Sequence, residues 1–65
     1  NKIMGFIQTL DAETKTAFTL REIDGRTYQE IAQILQCPIG TVRSRIFRAR
    51  QLILEFMNME NIING

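Results

Sequence analysis

Pro38 is the only proline in the chain, and it stands between two apolar runs that each repeat at the helical period. A helix cannot run smoothly through it, because proline has no amide to donate and its ring pushes Cys37 out of the helical region. On its N-terminal side the run TYQE, from Thr27 to Glu30, is a capping box. The Thr27 hydroxyl accepts a bond from an orphan first-turn amide, and Glu30 reaches back to the cap's own amide. Ile31, Ile34 and Leu35 then recur at helical spacing beside the small Ala32. On the C-terminal side Ile39, Val42, Ile46, Ala49 and Ile53 follow at steps of three, four, three and four, which is one face of one helix. So little chain separates the two runs that they must cross steeply and bury their apolar faces on a third element. That is the outline of a helix-turn-helix.

The opposite face of the second helix carries the chemistry. With each residue turned by about 100° from the last and Val42 at the origin, Thr41, Ser44 and Arg48 fall on the far side, flanked by Arg43 and Phe47. Arginine reads guanine bidentately in the major groove, while Ser, Thr and Phe meet base edges and the thymine methyl. Arg45 and Arg50 lie nearer the buried seam and suit phosphate contacts or intramolecular pairing. A basic helix face is more often plain solvated surface. Here the arginines sit on the second helix of a capped pair, where a recognition helix belongs, and this favours DNA.

Sixty-five residues make one domain with a thin core. Net charge is only +1, but it is unevenly spread: residues 26–54 hold five arginines against the single acid Glu30, while the segments on either side are net negative. Positive charge focused on one helix is the footprint of nucleic-acid binding. There is no histidine and one cysteine, Cys37, so an intrachain disulfide is impossible, a zinc site is disfavoured, and the usual general base is missing. Cys37 reads as a small buried spacer in the turn, suited to a reducing cytoplasm. No enzyme and no cofactor is expected. No apolar run is long enough to span a membrane, and no signal peptide is expected. The chain starts at Asn1 rather than methionine and reads as a fragment of a longer protein.

In order along the chain, Ile3, Phe6, Ile7 and Leu10 predict a short helix over Lys2 to Leu10. Asp11 caps a second helix from about Ala12 to Ile23, with Glu13 complementing its dipole and Ala17, Phe18, Leu20 and Ile23 as its buried stripe. Asp24-Gly25 ends it in a turn. The third helix covers about Thr27 to Gln36 and the fourth about Ile39 to Asn58, with the tail from Met59 to Gly65 frayed. Phe18 and Ile31 are expected in the core. Ile3, Phe6 and Ile7, with Leu10 behind them, are left to form a docking surface.

The run LREIDGRTYQEIAQILQCPIGTVRSRIFRAR, ending at Arg50, resembles region 4 of bacterial extracytoplasmic-function sigma factors, closest to the sigma-E type. The pattern LRE-x-DG-x-[ST]Y-x-EIA, then CP-x-GTV-[RK]-SR-x-x-RAR, is matched almost throughout and covers about half of the chain. One departure is Leu10-Asp11, where the family usually has Leu-Pro; aspartate is an adequate cap, so the same fold with a less rigid entry is expected. The resemblance implies an all-α, four-helix domain with a helix-turn-helix, of winged-helix-like or sigma region 4 type. It implies duplex binding at the promoter minus-35 element with the last helix in the major groove. Arg43, Ser44, Phe47 and Arg48 match its base and backbone contacts, and Arg21, Tyr28 and Glu30 match residues at or near the DNA backbone. It also implies docking on the flap of the polymerase β subunit and competition from an anti-sigma factor. The runner-up is the DNA-binding domain of a LuxR-type response regulator, which has a similar helix layout.

Overall fold

All four expected helices form. A computed structural model describes the backbone of residues 1–64 and the side chains of residues 1–60. Helix α1 spans Lys2–Ile7, α2 Ala12–Glu22, α3 Tyr28–Leu35 and α4 Ile39–Asn64. No strand occurs among the described residues, so the domain has no wing there. No helix among them is long and apolar enough to cross a membrane.

Local chemistry sets the helix ends. Asn1 caps α1 by accepting from the Met4 amide at 2.9 Å. The helix stops at Ile7, short of the expected Leu10, because the Thr9 amide and hydroxyl both turn onto the Phe6 carbonyl, at 2.9 and 2.6 Å. Asp11 restarts the chain as α2, accepting from the Thr14 amide at 3.1 Å. A turn then closes α2, with Gly25 at φ 71, a left-handed conformation that costs glycine little. The α3 capping box is complete: the Glu30 amide donates to the Thr27 hydroxyl at 3.1 Å and the Thr27 amide donates to the Glu30 carboxylate at 2.8 Å.

The break between α3 and α4 differs from expectation. The chain turns at Gln36, in the left-handed region at φ 53 and ψ 51, before Pro38 is reached. The Cys37 amide bonds back to the Ala32 carbonyl at 3.0 Å, which satisfies an orphan acceptor of α3. Pro38 instead opens α4: its carbonyl accepts from Thr41 at 3.0 Å and from Val42 at 3.3 Å.

The core forms where α2 and α3 lie on α4. Ala17, Ile31, Val42 and Ile46 bury one another, with Leu20, Tyr28, Ala32, Leu35 and Cys37 packed around them. Burying an aliphatic side chain of this size contributes roughly 1.5–3 kcal/mol, so a few residues hold the whole arrangement. The α4 seam has the expected phase: Val42, Ile46 and Ala49 are buried, with Ile39 and Ile53 half-buried at its ends.

Four apolar residues depart from expectation. Ile34 is 52% exposed, because the stripe α3 buries is narrow and centred on Ile31 and Leu35. Ile23 caps the open end of α2 and is exposed as well. Phe18 is only half-buried, lining a shallow groove with Glu22, Arg50, Ile53 and Leu54. Ile7, expected at a docking surface, is buried. Of its intended companions, Leu10 is half-buried and the Phe6 ring stacks on Phe56, centroids 4.5 Å apart and planes 12° apart. Only Ile3 stays open.

Helix α4 also runs past Asn58 to Asn64, where fraying was expected. Its far half is braced by α1 through the Phe6–Phe56 stack and an ion pair from Lys2 to Glu60 at 3.1 Å. Gly65 lies outside the described residues.

Candidate nucleic-acid interface

Because the seam of α4 points inward at Val42, Ile46 and Ala49, the opposite side is presented to solvent. Arg43, Ser44, Phe47 and Arg48 are all exposed there, and Thr41 is half-buried at the start of the helix. Phe47 is 65% exposed, an unusual position for a large ring unless it meets something. A hydroxyl, a ring and two guanidinium forks are thus held on one rigid rod.

The four arginines of α4 divide into two pairs. Arg45 donates to the Glu13 carboxylate of α2 at 2.6 Å and passes near the Cys37 sulfur at 3.9 Å. Arg50 donates to Glu22, with its Nε at 3.1 Å and its Nη2 closer still. That carboxylate, with burial opposing and Tyr28 adding a smaller contribution, raises the Arg50 pKa above its ordinary value. Arg43 and Arg48 have no ion pair among the described residues. The placement of Arg45 and Arg50 near the seam thus resolves into intramolecular pairing. Glu13 and Glu22 were not foreseen as their partners. The one sequence signal was the acid excess of the first 25 residues against the arginine excess after them.

Arg21 and Tyr28 meet Arg43 at the edge of this face, and Glu30 is linked to them only through Arg26. The Tyr28 ring has the Arg21 guanidinium 4.8 Å from its centroid and that of Arg43 at 5.9 Å. Arg21 also donates to the Arg26 carbonyl at 3.0 Å. Glu30 is occupied by its capping bond and by Arg26 at 3.7 Å. The Thr27 amide, then the Thr27 hydroxyl, and less so Arg26, hold its carboxyl below the usual carboxylate range. The Thr14 amide and hydroxyl do the same for Asp11, and Arg45 adds to this. The family resemblance implied a place for Tyr28 near the DNA backbone but gave no sign that its ring would join α2 to α4.

Such a face can hydrogen-bond base edges from Arg48 and Ser44, cover a methyl group with Phe47, and neutralise phosphates from its rim.

Comparison with known proteins bears on what this face meets. A family profile described as Sigma-70, region 4 matches residues 1–53. The chain is 60% identical over 47 residues to the ECF RNA polymerase sigma-E factor of Haemophilus influenzae. The identity and length are the same for the ECF RNA polymerase sigma-E factor of Escherichia coli and the RNA polymerase sigma-H factor of Pseudomonas aeruginosa. In each case the match covers 72% of this chain but only 24–25% of the relative, so the chain spans about a quarter of those proteins. Nothing in these matches favours a LuxR-type regulator.

Proposed function

The chain belongs to the Sigma-70, region 4 family, and from that premise we propose that it binds the promoter minus-35 element as duplex DNA, within a sigma factor that directs RNA polymerase to initiate transcription. Helix α4 enters the major groove. Arg48 forks a guanine, Ser44 and Phe47 meet neighbouring base edges, and Arg43 and Thr41 contact the rim of the site. Arg21, Tyr28 and Glu30 lie along the sugar-phosphate backbone, and Arg45, already paired with Glu13, adds little charge of its own to the contact.

One observation carries this reading. Two of the four α4 arginines are neutralised by carboxylates of α2, and the two on the reading face are not. Electrostatic effort is therefore spared for a partner that brings its own negative charge. The test is binding of the chain to a randomised duplex pool at several salt concentrations. Selective enrichment is expected, with affinity falling steeply as salt rises, by a log–log slope of about 0.9 for each phosphate engaged. A chain that ignores duplex at low salt, or holds all sequences alike, overturns the reading.

One recognition helix makes a small interface, so promoter recruitment needs a second anchor. We assign that anchor to the polymerase β-flap, docked on the apolar side of the domain where Leu54 is exposed at the Phe18 groove and Ile3 and Met57 line a second groove with Phe56. An anti-sigma factor competes for the same surfaces. Leu54→Asp is expected to keep its fold and duplex affinity while losing capture of a β-flap fragment. Equal capture by both forms moves the anchor off this face.

A further inference from the structure

Two guanidinium groups lie over one phenol ring. Tyr28 leaves the first turn of α3, where the capping box fixes its backbone, and its half-buried ring leans on the core. Arg21 reaches the ring from α2 at 4.8 Å and Arg43 reaches it from α4 at 5.9 Å. Arg50 lies near enough for Tyr28 to help hold its charge, but it is already paired with Glu22. Arg21 and Arg43 have no carboxylate among the described residues. Left to itself, an exposed arginine samples many rotamers, and ordering it on a ligand costs entropy. A ring face removes part of that cost in advance. Two uncompensated cations on one ring also repel each other, and an anion set against both relieves that repulsion.

We propose that Tyr28 is a positioning residue: its ring holds Arg21 and Arg43 in the pose from which they grip the phosphodiester backbone of a DNA duplex. The inference rests on the DNA reading above and deepens it. Tyr28 acts through the two arginines, so its aromatic face matters and its hydroxyl does not. The ring joins a residue of α2 to one of α4, so the phosphate grip keeps its geometry only while α2, α3 and α4 stay packed.

The experiment compares the wild-type chain with Tyr28→Phe and Tyr28→Leu, each checked for folding by thermal melting. Without DNA, ring-current shifts of the Arg21 and Arg43 side-chain protons are expected in wild type and Tyr28→Phe and absent in Tyr28→Leu. On duplex, Tyr28→Phe is expected to match wild type in affinity and salt slope. Tyr28→Leu is expected to bind roughly five- to thirtyfold more weakly, the worth of two exposed cation–π contacts, with a shallower slope. The same Leu substitution added to an Arg21→Ala, Arg43→Ala background is expected to cost nothing further. A folded Tyr28→Leu that binds as wild type does overturns the proposal. So does Tyr28→Phe falling as far as Tyr28→Leu, which puts the hydroxyl itself on a phosphate. If wild type binds no duplex, the DNA reading falls and this inference falls with it; the other two results leave that reading standing.

Discussion

From Ile39 to Arg50, α4 is enclosed on one side by α2 and α3, and its other side carries Arg43, Ser44 and Arg48 around the single exposed ring of Phe47. From Gln51 to Glu60 α1 braces the same helix through Phe6 on Phe56 and Lys2 on Glu60, and Leu54, Met57 and Met59 reach the surface. The first half buries Val42, Ile46 and Ala49 almost completely, whereas the second leaves Ile53 and Phe56 half-covered. The difference teaches that a reading face depends on its back. Side chains on a helix are held in place when the opposite stripe is locked into a core. A stripe left partly open is instead available to a partner.

The sharpest way to break this contrast is truncation of the seam. Ile46→Ala is expected to cost roughly 2–5 kcal/mol through lost burial and a cavity, enough to unfold a domain of this size. Leu54→Ala, on the open half, is expected to cost less than about 1 kcal/mol. Urea denaturation of both variants checks the pair, and similar midpoints would mean that the two halves are packed alike.

Next comes the division of the arginines. Arg48→Ala is expected to lose about 1–3 kcal/mol on the preferred duplex and much less on others. Arg50→Gln is expected to leave the sequence preference unchanged and to lower stability slightly. Binding titrations on a set of single-base variants separate the two. Uniform loss in Arg48→Ala on every sequence would reassign it to phosphate.

The helix caps beneath the reading face come third. Thr27→Ala is expected to cost about 1 kcal/mol of stability, read from a melting curve. Acid attacks the same contacts. Asp11 and Glu30 have folded-state pKa values below their unfolded ones. Their contribution is therefore fully present above the ordinary carboxylate range and is lost as pH falls through the lowered folded values, on the acid side of that range. Melting temperature is expected to drop in that window, and the drop should shrink in Asp11→Asn. A drop of equal size in that variant would place the acid sensitivity elsewhere.

The smallest effect belongs to the braces. A double-mutant cycle on Glu13 and Arg45 is expected to give a coupling of no more than about 1 kcal/mol, because the Glu13 carboxylate is largely in water. A larger coupling would show that Arg45 positions α4 on α2 and does more than neutralise it.

The helix-turn-helix was legible because its signals are local. The Thr27–Glu30 box, the position of Pro38 and the Ile39-to-Ile53 repeat each act within a few residues. The exposure of Arg43, Ser44, Phe47 and Arg48 followed from the seam, since the two are opposite sides of one cylinder. Contacts between helices were not legible. Periodicity says which residues share a stripe, but it does not say how wide a strip the neighbour covers. So Ile34 was assigned to a core it only borders, and Ile7 to a surface from which it is shielded. The partners of Arg45 and Arg50 stand 32 and 28 residues away, beyond the reach of any local rule. The far end of α4 was missed because its support, Phe6 on Phe56, spans nearly the whole chain.

Helix α4 is 26 residues of uninterrupted helix, which at about 1.5 Å per residue accounts for most of the 41 Å long axis. It therefore behaves as a keyed shaft, in which the azimuth of every side chain is locked to that of every other. One residue inserted after Gln51 would turn Phe56 by about 100° away from Phe6 and shift it by about 1.5 Å. Seven inserted residues, two turns, would bring the ring back to within about 20° of its bearing, though some 10 Å further along the axis. Between Arg50 and Phe56, chain length is thus constrained as strongly as residue type, and an insertion or deletion there acts first as a rotation.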